Sequence, residues 1–244
     1  MRGPASIFPH PNPLPVGEGV KKDAAKKYGK YQGLRMTGER GGFEDAYRQR
    51  RTSDRRPHEE AEAVARLFRE HGVRKILDLG CGDGRHLVWF ATQGFDMVGL
   101  DSAFSGLALA QQALAAAGQK AALGEGDMAD LPFLDDSFDA VICVQVINHQ
   151  DIDGIRKTVA GIHRVLTSGG RLFLTVPPVE GELTRPNVVR LSPRLFTVTD
   201  GDHPGVPHYK ATAEEWLAEF SRFRIERRWT DSKGKLAVIA QKIE

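Results

Sequence analysis

Apolar and polar residues fall into a regular pattern only from Pro57 onward. Ala61, Val64, Ala65, Leu67 and Phe68 recur at helical spacing up to Gly72, and Pro57 suits the opening turn of such a helix. Val73–Leu79 (VRKILDL) then reads as a buried strand, and Gly80–Gly84 as a glycine-rich turn. A helix is predicted over His86–Gln93, stopped by Gly94, and a second strand over Phe95–Leu100. The alanine-rich run Phe104–Ala117 predicts a helix ended by Gly118, followed by a short strand at Lys120–Leu123. Phe138–Val146 (FDAVICVQV) is the most apolar strand candidate. Ile152–Leu166 is amphipathic, with Ser168–Gly170 expected to end its helix, and Arg171–Val176 is a fifth strand.

Strands and helices alternating at these lengths predict a parallel sheet covered on both faces, joined by right-handed crossovers. The rhythm breaks after Pro177–Pro178, so 179–210 is expected to be a long irregular stretch of the kind that carries function. Thr212 and Glu215 have the spacing of a capping box for a helix over Thr212–Phe220. Phe223–Trp229 and Leu236–Gln241, around the turn Asp231–Gly234, predict a terminal antiparallel hairpin.

Composition changes this picture at one end. Residues 1–56 carry 13 Lys/Arg against 6 Asp/Glu, a charge of +7, whereas 57–244 carry 21 against 26, a charge of −5. The front segment begins with a proline-dense tail expected to be extended or disordered. That tail resembles a translated intergenic repeat, so Met1 is expected to be a misassigned start. Tyr28, Tyr31, Phe43 and Tyr47 are the anchors in the front segment, some of them expected to pack over a cofactor cleft. The division expected is a basic, partly disordered extension over 1–56 and one domain over 57–244. Without interleaved aromatics at a stacking rhythm, the basic arm reads as solvated chain rather than as a nucleic-acid handle. No apolar run approaches the roughly 18–20 residues of a membrane helix. Two cysteines, Cys81 and Cys143, are too few for a disulfide framework, so a reduced, cytoplasmic protein is expected.

Candidate chemistry centres on ILDLGCGDGRH, residues 76–86. Gly80, Gly82 and Gly84 sit at alternate positions between a strand and a helix. Glycine lets a ligand lie against bare backbone, and the next helix offers unpaired N–H groups at its start. A dinucleotide fingerprint would have a small residue where Arg85 stands, which disfavours nicotinamide cofactors. Asp101 closes the second strand at the carboxyl edge of the sheet, where its two oxygens could accept a ribose diol or cap the following helix. Gly126–Asp127–Met128 precedes LPF and the fourth strand, and Asp127 is open to a turn role as well as a binding one. Gln145–His149 leaves the tip of that strand, and His149 is either an acid–base group or a loop residue. Asp139 and His163 read as structural. Asp202, His203 and His208 suggest a metal, but the two histidines are five apart across two prolines without a third convincing ligand nearby, so no metal is expected.

These motifs resemble those of the class I S-adenosylmethionine-dependent methyltransferases, of the methyltransferase type 11-like small-molecule group, over about residues 57–244. The resemblance implies an α/β, Rossmann-like seven-stranded and mostly parallel sheet with an antiparallel terminal hairpin, in a three-layer αβα sandwich. It implies S-adenosylmethionine as cofactor, held at Asp78, Gly80, Cys81 and Gly82 for its methionine part and at Asp101 with Ser102 for its ribose. Asp127 and Met128 would hold the adenine, and Gln145 would line the pocket. His149 and His208 are the candidate acid–base groups, and with Tyr209 the candidate acceptor-side residues. The expected reaction is methyl transfer to a small-molecule acceptor. RNA methylation through the basic arm and a non-catalytic cofactor-binding module are the alternatives.

Overall fold

The computed structural model describes residues 40–49, 56–178, 186–200 and 204–244. The proline-dense tail, Tyr28, Tyr31, Asp202 and His203 lie outside the described residues. The chain folds as α1 Arg40–Gln49, α2 Ala61–Glu70, β1 Lys75–Leu79, α3 Arg85–Thr92, β2 Asp96–Asp101, α4 Phe104–Ala116 and β3 Ala122–Glu125. It continues as β4 Phe138–Val144, α5 Ile152–Val165, β5 Leu166–Val176, β6 Val188–Arg190, β7 Leu195–Val198 and β8 His208–Tyr209. α6 Ala213–Ala218, β9 Phe223–Thr230 and β10 Leu236–Lys242 complete it. The main sheet has seven strands in the order β3-β2-β1-β4-β5-β10-β9. The first five are parallel; β10 runs antiparallel to β5 and to β9, as the terminal hairpin predicts.

Side-chain alternation sends each strand's apolar residues to two faces. Ile76, Ala140, Ile142 and Phe173 pack with Phe68, Leu87, Phe90 and Leu114 of α2, α3 and α4. Leu77, Leu79, Val141 and Leu174 pack with Ile155, Val159, Ile162 and Trp216 of α5 and α6. The result is the expected three-layer αβα sandwich. Phe68, Phe90, Phe138 and Trp216 are all but fully buried, and side chains of this size each contribute on the order of 1.5–3 kcal/mol on leaving water. α6 carries the capping box: the Glu215 amide donates to Thr212 Oγ1 at 3.2 Å and the Thr212 amide to Glu215 Oε2 at 2.8 Å. Asp139 ties the strand entries together, accepting from the Arg74 and Lys75 amides at 2.9 Å each.

Three expectations need correction. Helix α2 starts at Ala61, after a turn, and not at Pro57. The Ser168–Gly170 segment does not separate helix from strand: β5 begins at Leu166, opposite Phe138, and the pairing jumps to Ala140 with Arg171. The extra residues form a bulge, in which Gly169 takes φ +71°. The 179–210 stretch is not wholly irregular either. Val188–Arg190, Leu195–Val198 and His208–Tyr209 pair as a small antiparallel sheet, too short to announce themselves by alternation.

Candidate functional site

The carboxyl ends of β1, β2 and β4 meet where the glycine loop turns toward α3. Gly80 and Gly82 take φ +70° and +52°, a region that costs other residues strain. A Cβ at Gly80 would overlap the Val146 side chain, and one at Gly82 the Tyr47 hydroxyl. The loop is pinned to β2: the Gly80 and Cys81 amides donate to Leu100 O at 2.7 and 3.0 Å, and the Gly82 amide to Asp101 Oδ2 at 2.8 Å. Cys81 is buried, and its burial pushes the thiol well above its usual range, so it serves as a small apolar filler between glycines.

Asp78, one residue before the end of β1, is 2% exposed, and its Oδ2 has no hydrogen-bond partner among the described residues. Burial pushes its carboxyl up to about 7, against the pull of the Arg85 guanidinium, with the nearby Asp101 carboxylate adding to the rise. A buried acid with an unsatisfied oxygen is costly unless a positive or donor group meets it. This orphaned oxygen, beside bare glycine backbone, fits a cationic ligand fragment such as the ammonium of S-adenosylmethionine.

Asp101 ties the glycine loop to the entry of α4, whose N-cap is Ala103 without a side-chain cap bond. Its Oδ1 accepts from the Ala103 amide at 2.8 Å at the start of α4, while Oδ2 holds the glycine loop. It stands at the sheet's carboxyl edge, with its following residue Ser102 half-buried beside it. Burial raises its carboxyl above the usual carboxylate range, opposed by the backbone donors of Ala103, Gly82 and Ser102. Each oxygen keeps acceptor capacity for a ligand hydroxyl. Asp127 forms an Asx turn, its Oδ1 accepting from the Ala129 amide at 2.8 Å, and Met128 packs against the core on the α5 face.

Against the glycine loop, through Val146 on Gly80, the tip of β4 is unusual. Gln145 takes φ +58°, one of two described non-glycine residues with positive φ, and its amide donates to Thr175 O at 3.0 Å. Such backbone is a hallmark of sites where geometry is held by the surroundings. A tight turn follows, closed by the His149 amide donating to Val146 O at 3.0 Å. The ring of His149 lies edge-on to that of His208 at 4.7 Å and to that of Phe43 at 5.0 Å. Tyr209 donates its amide to Asn148 O at 2.7 Å and sets its ring edge-on to Trp216 at 5.4 Å. The structure thus brings His149 and His208 together, with Tyr209 bonded to the backbone of the neighbouring Asn148. Asp78, Gly80, Cys81, Gly82, Asp101 and Ser102 form a second group around the glycine loop. His163 is remote from both, its Nε2 at 2.9 Å from Ile243 O.

Helix α1 is what the pattern of apolar residues did not announce. Glu44 docks it on α4: the Ser105 amide donates to Glu44 Oε2 at 3.0 Å, and the Ser105 hydroxyl to Glu44 O at 3.0 Å. Tyr47 lies over Gly82 and Gly106, and Gly42 faces Val206. Ten mostly polar residues in a basic segment gave no signal for Glu44. Only the aromatic anchors Phe43 and Tyr47 hinted at a packed face.

Residues 76–170 match the model of a methyltransferase domain family. Over 146 residues the chain is 31% identical to an O-methyltransferase of Aspergillus sclerotiorum, covering 56% of this chain and 54% of that protein. It is 34% identical over 125 residues to a demethylmenaquinone methyltransferase of Deinococcus radiodurans, covering 50% and 49%. The chain spans about half the length of the curated relatives it matches. An S-adenosylmethionine-dependent methyltransferase of Clostridium acetobutylicum shares the fold, with a TM-score of 0.61 at 15% identity over 75% of this chain and 91% of that one.

Proposed function

We propose that this chain, whose residues 76–170 belong to the methyltransferase-domain family and whose fold is that of the class I S-adenosylmethionine-dependent methyltransferases, methylates a small-molecule nucleophile by in-line displacement. S-adenosylmethionine, when bound, supplies a methyl group already activated by its sulfonium charge. The protein's task is then to align donor and acceptor and to keep water out. Holding two reactants in register can be worth about 7–11 kcal/mol of the barrier.

In this reading Asp78 meets the ammonium end of the cofactor, with the Gly80–Gly82 backbone and Cys81 beneath it. Asp101, with Ser102, takes the ribose hydroxyls. Asp127 and the Met128 amide take the adenine, the Met128 thioether lying against the ring. Tyr47, on α1, closes over the glycine loop. Gln145 holds the tip of the central strand in place. His149 and His208 receive the acceptor's proton where it has one to lose, and Tyr209 bounds the acceptor space. The observation that carries a small acceptor is the contact of Phe43 with His149: α1 covers the acceptor end of the cleft as well as the cofactor end. No helix among the described residues is long and apolar enough to cross a membrane.

The test is transfer of radiolabelled methyl from S-adenosylmethionine to a size-fractionated cell extract, with and without ribonuclease. Label is expected in the ribonuclease-resistant small-molecule fraction. Ribonuclease-sensitive label in the large fraction would overturn the small-molecule reading and make the basic front segment an RNA handle. Cofactor binding with no label in any fraction would leave a binding module without catalysis.

A further inference from the structure

Asn148 is the second central residue of the turn from Val146 to His149. It is 3% exposed, and its Oδ1 is sealed from solvent with no hydrogen-bond partner among the described residues. Its backbone, by contrast, is firmly held: the His149 amide closes the turn at 3.0 Å and the Tyr209 amide binds Asn148 O at 2.7 Å. The residue therefore sits where three elements meet: the strained tip of β4, the small sheet through β8, and α1 through Phe43 on His149.

A buried carboxamide oxygen with no donor is a standing cost in the folded state, and most buried polar atoms avoid it. A leucine of nearly the same shape would remove that cost. The same feature occurs at Asp78 Oδ2, on the cofactor side of the same cleft. Both ends of the site thus hold a buried, unanswered oxygen, a carboxylate at one and a neutral amide at the other, and the Thr175 hydroxyl behind Gln145 is a third. We infer that Asn148 is an acceptor-binding residue whose carboxamide oxygen takes a hydrogen bond from an N–H or O–H of the methyl acceptor. The inference rests on the methyltransferase reading and narrows it: the acceptor is a neutral amine, amide, alcohol or phenol that carries a hydrogen. A carboxylate or a thiolate brings no donor to this oxygen.

The test compares wild type with Asn148→Leu and Asn148→Ala, using the small-molecule fraction of the cell extract as acceptor. Three readouts are taken: labelled methyl transfer, calorimetric affinity for S-adenosylmethionine, and Tm without acceptor. The product is also treated with alkali, which releases methyl from esters but not from ethers or amines. The Leu variant is expected to keep cofactor affinity within about twofold and to lose kcat/KM about 5- to 150-fold, the loss typical of an unpaired buried hydrogen bond. Its Tm is expected to rise by about 2–4 °C as the unanswered oxygen is removed. The wild-type label is expected to be alkali-stable. Transfer at the wild-type rate by either folded variant, alkali-labile label, or unfolding of both variants overturns the assignment. Failure of wild type to label any small molecule overturns the underlying reading instead, and is distinct because cofactor affinity is measured in the same preparation.

Discussion

The proposed cofactor and acceptor parts of the site are built differently. The part proposed to hold the methionine and ribose comes from one continuous stretch, β1 to α4, in which the glycine loop is bonded to Leu100 and Asp101 of the neighbouring strand. The proposed acceptor end is assembled from Phe43 on α1, His149 after β4, and His208 on β8, with the His149 ring set edge-on to the other two. A site made from local bonds is fixed by the sheet itself. A site made from contacts between distant segments depends on how a cap helix and a small inserted sheet settle on that frame. Cofactor chemistry can then stay constant while acceptor choice changes with the inserted pieces.

The sharpest way to break this comparison is to remove one group from each end. His149→Ala is expected to lower kcat by about 10²- to 10⁴-fold, the usual worth of a positioned acid–base group, with cofactor affinity unchanged. Single-turnover transfer with calorimetry in parallel separates the two. Equal losses in kcat and cofactor affinity would mean that the ends are not independent. Asp101→Ala is expected to do the converse. It removes the bond from the Gly82 amide and that from the Ala103 amide, as well as the proposed ribose contact. Hydrogen bonds to a charged group are each worth about 1.5–3 kcal/mol, so cofactor affinity is expected to fall by about 10²-fold or more. Unchanged affinity in a folded Asp101→Ala protein would sink the ribose assignment.

Asp78 sharpens the comparison through pH. Its carboxyl is pushed up to about 7 by burial, so below that pH the cofactor's ammonium meets a protonated acid. Binding must then release a proton, and affinity is expected to rise with pH by up to about tenfold per unit until it levels near pH 7. Calorimetry in two buffers of different ionisation enthalpy measures the released proton directly. Asp78→Asn is expected to bind weakly and without this slope. A slope that survives in Asp78→Asn would assign it to another group.

The same contrast explains what the sequence disclosed. The β1 strand, the glycine loop, Asp101 and the capping box Thr212–Glu215 were all legible, because each depends on residues a few positions apart. The pairing of Val188–Arg190 with Leu195–Val198 was not, since strands of three and four residues carry too little alternation to be seen. Nor was Glu44, whose partner Ser105 lies 61 residues away. His149 and His208 could be singled out as residue types, but their ring contact is a tertiary fact. The bulge in β5 was hidden for a subtler reason: Ser168–Gly170 looks like a helix stop, and Gly169 does turn the chain, but within a strand.

The last effect expected is on stability, and it comes from a histidine beside the glycine loop. His86, in the first turn of α3, is buried and accepts the His58 amide on Nε2 at 3.2 Å. Burial holds its pKa down to about 3, with the Arg85 charge adding to the effect. The unfolded chain takes up this proton near pH 6.5, so between about 6.5 and 3 the unfolded state binds more protons than the folded one. Stability from this group is therefore complete above pH 6.5 and is lost as pH falls. Asp78 works in the opposite sense over much of the same window: its raised pKa makes the folded state the better proton binder between about 4 and 7, so its contribution falls as pH rises. The two slopes partly cancel in wild type, which is expected to show a shallow profile in urea unfolding between pH 4.5 and 6.5. Asp78→Asn removes one of them, and its stability is expected to drop on the order of a few kcal/mol as pH falls across that range. Adding His86→Gln, which keeps an acceptor for the His58 amide but cannot take up a proton, is expected to flatten the profile again. A double variant as acid-sensitive as Asp78→Asn alone would take the effect away from His86.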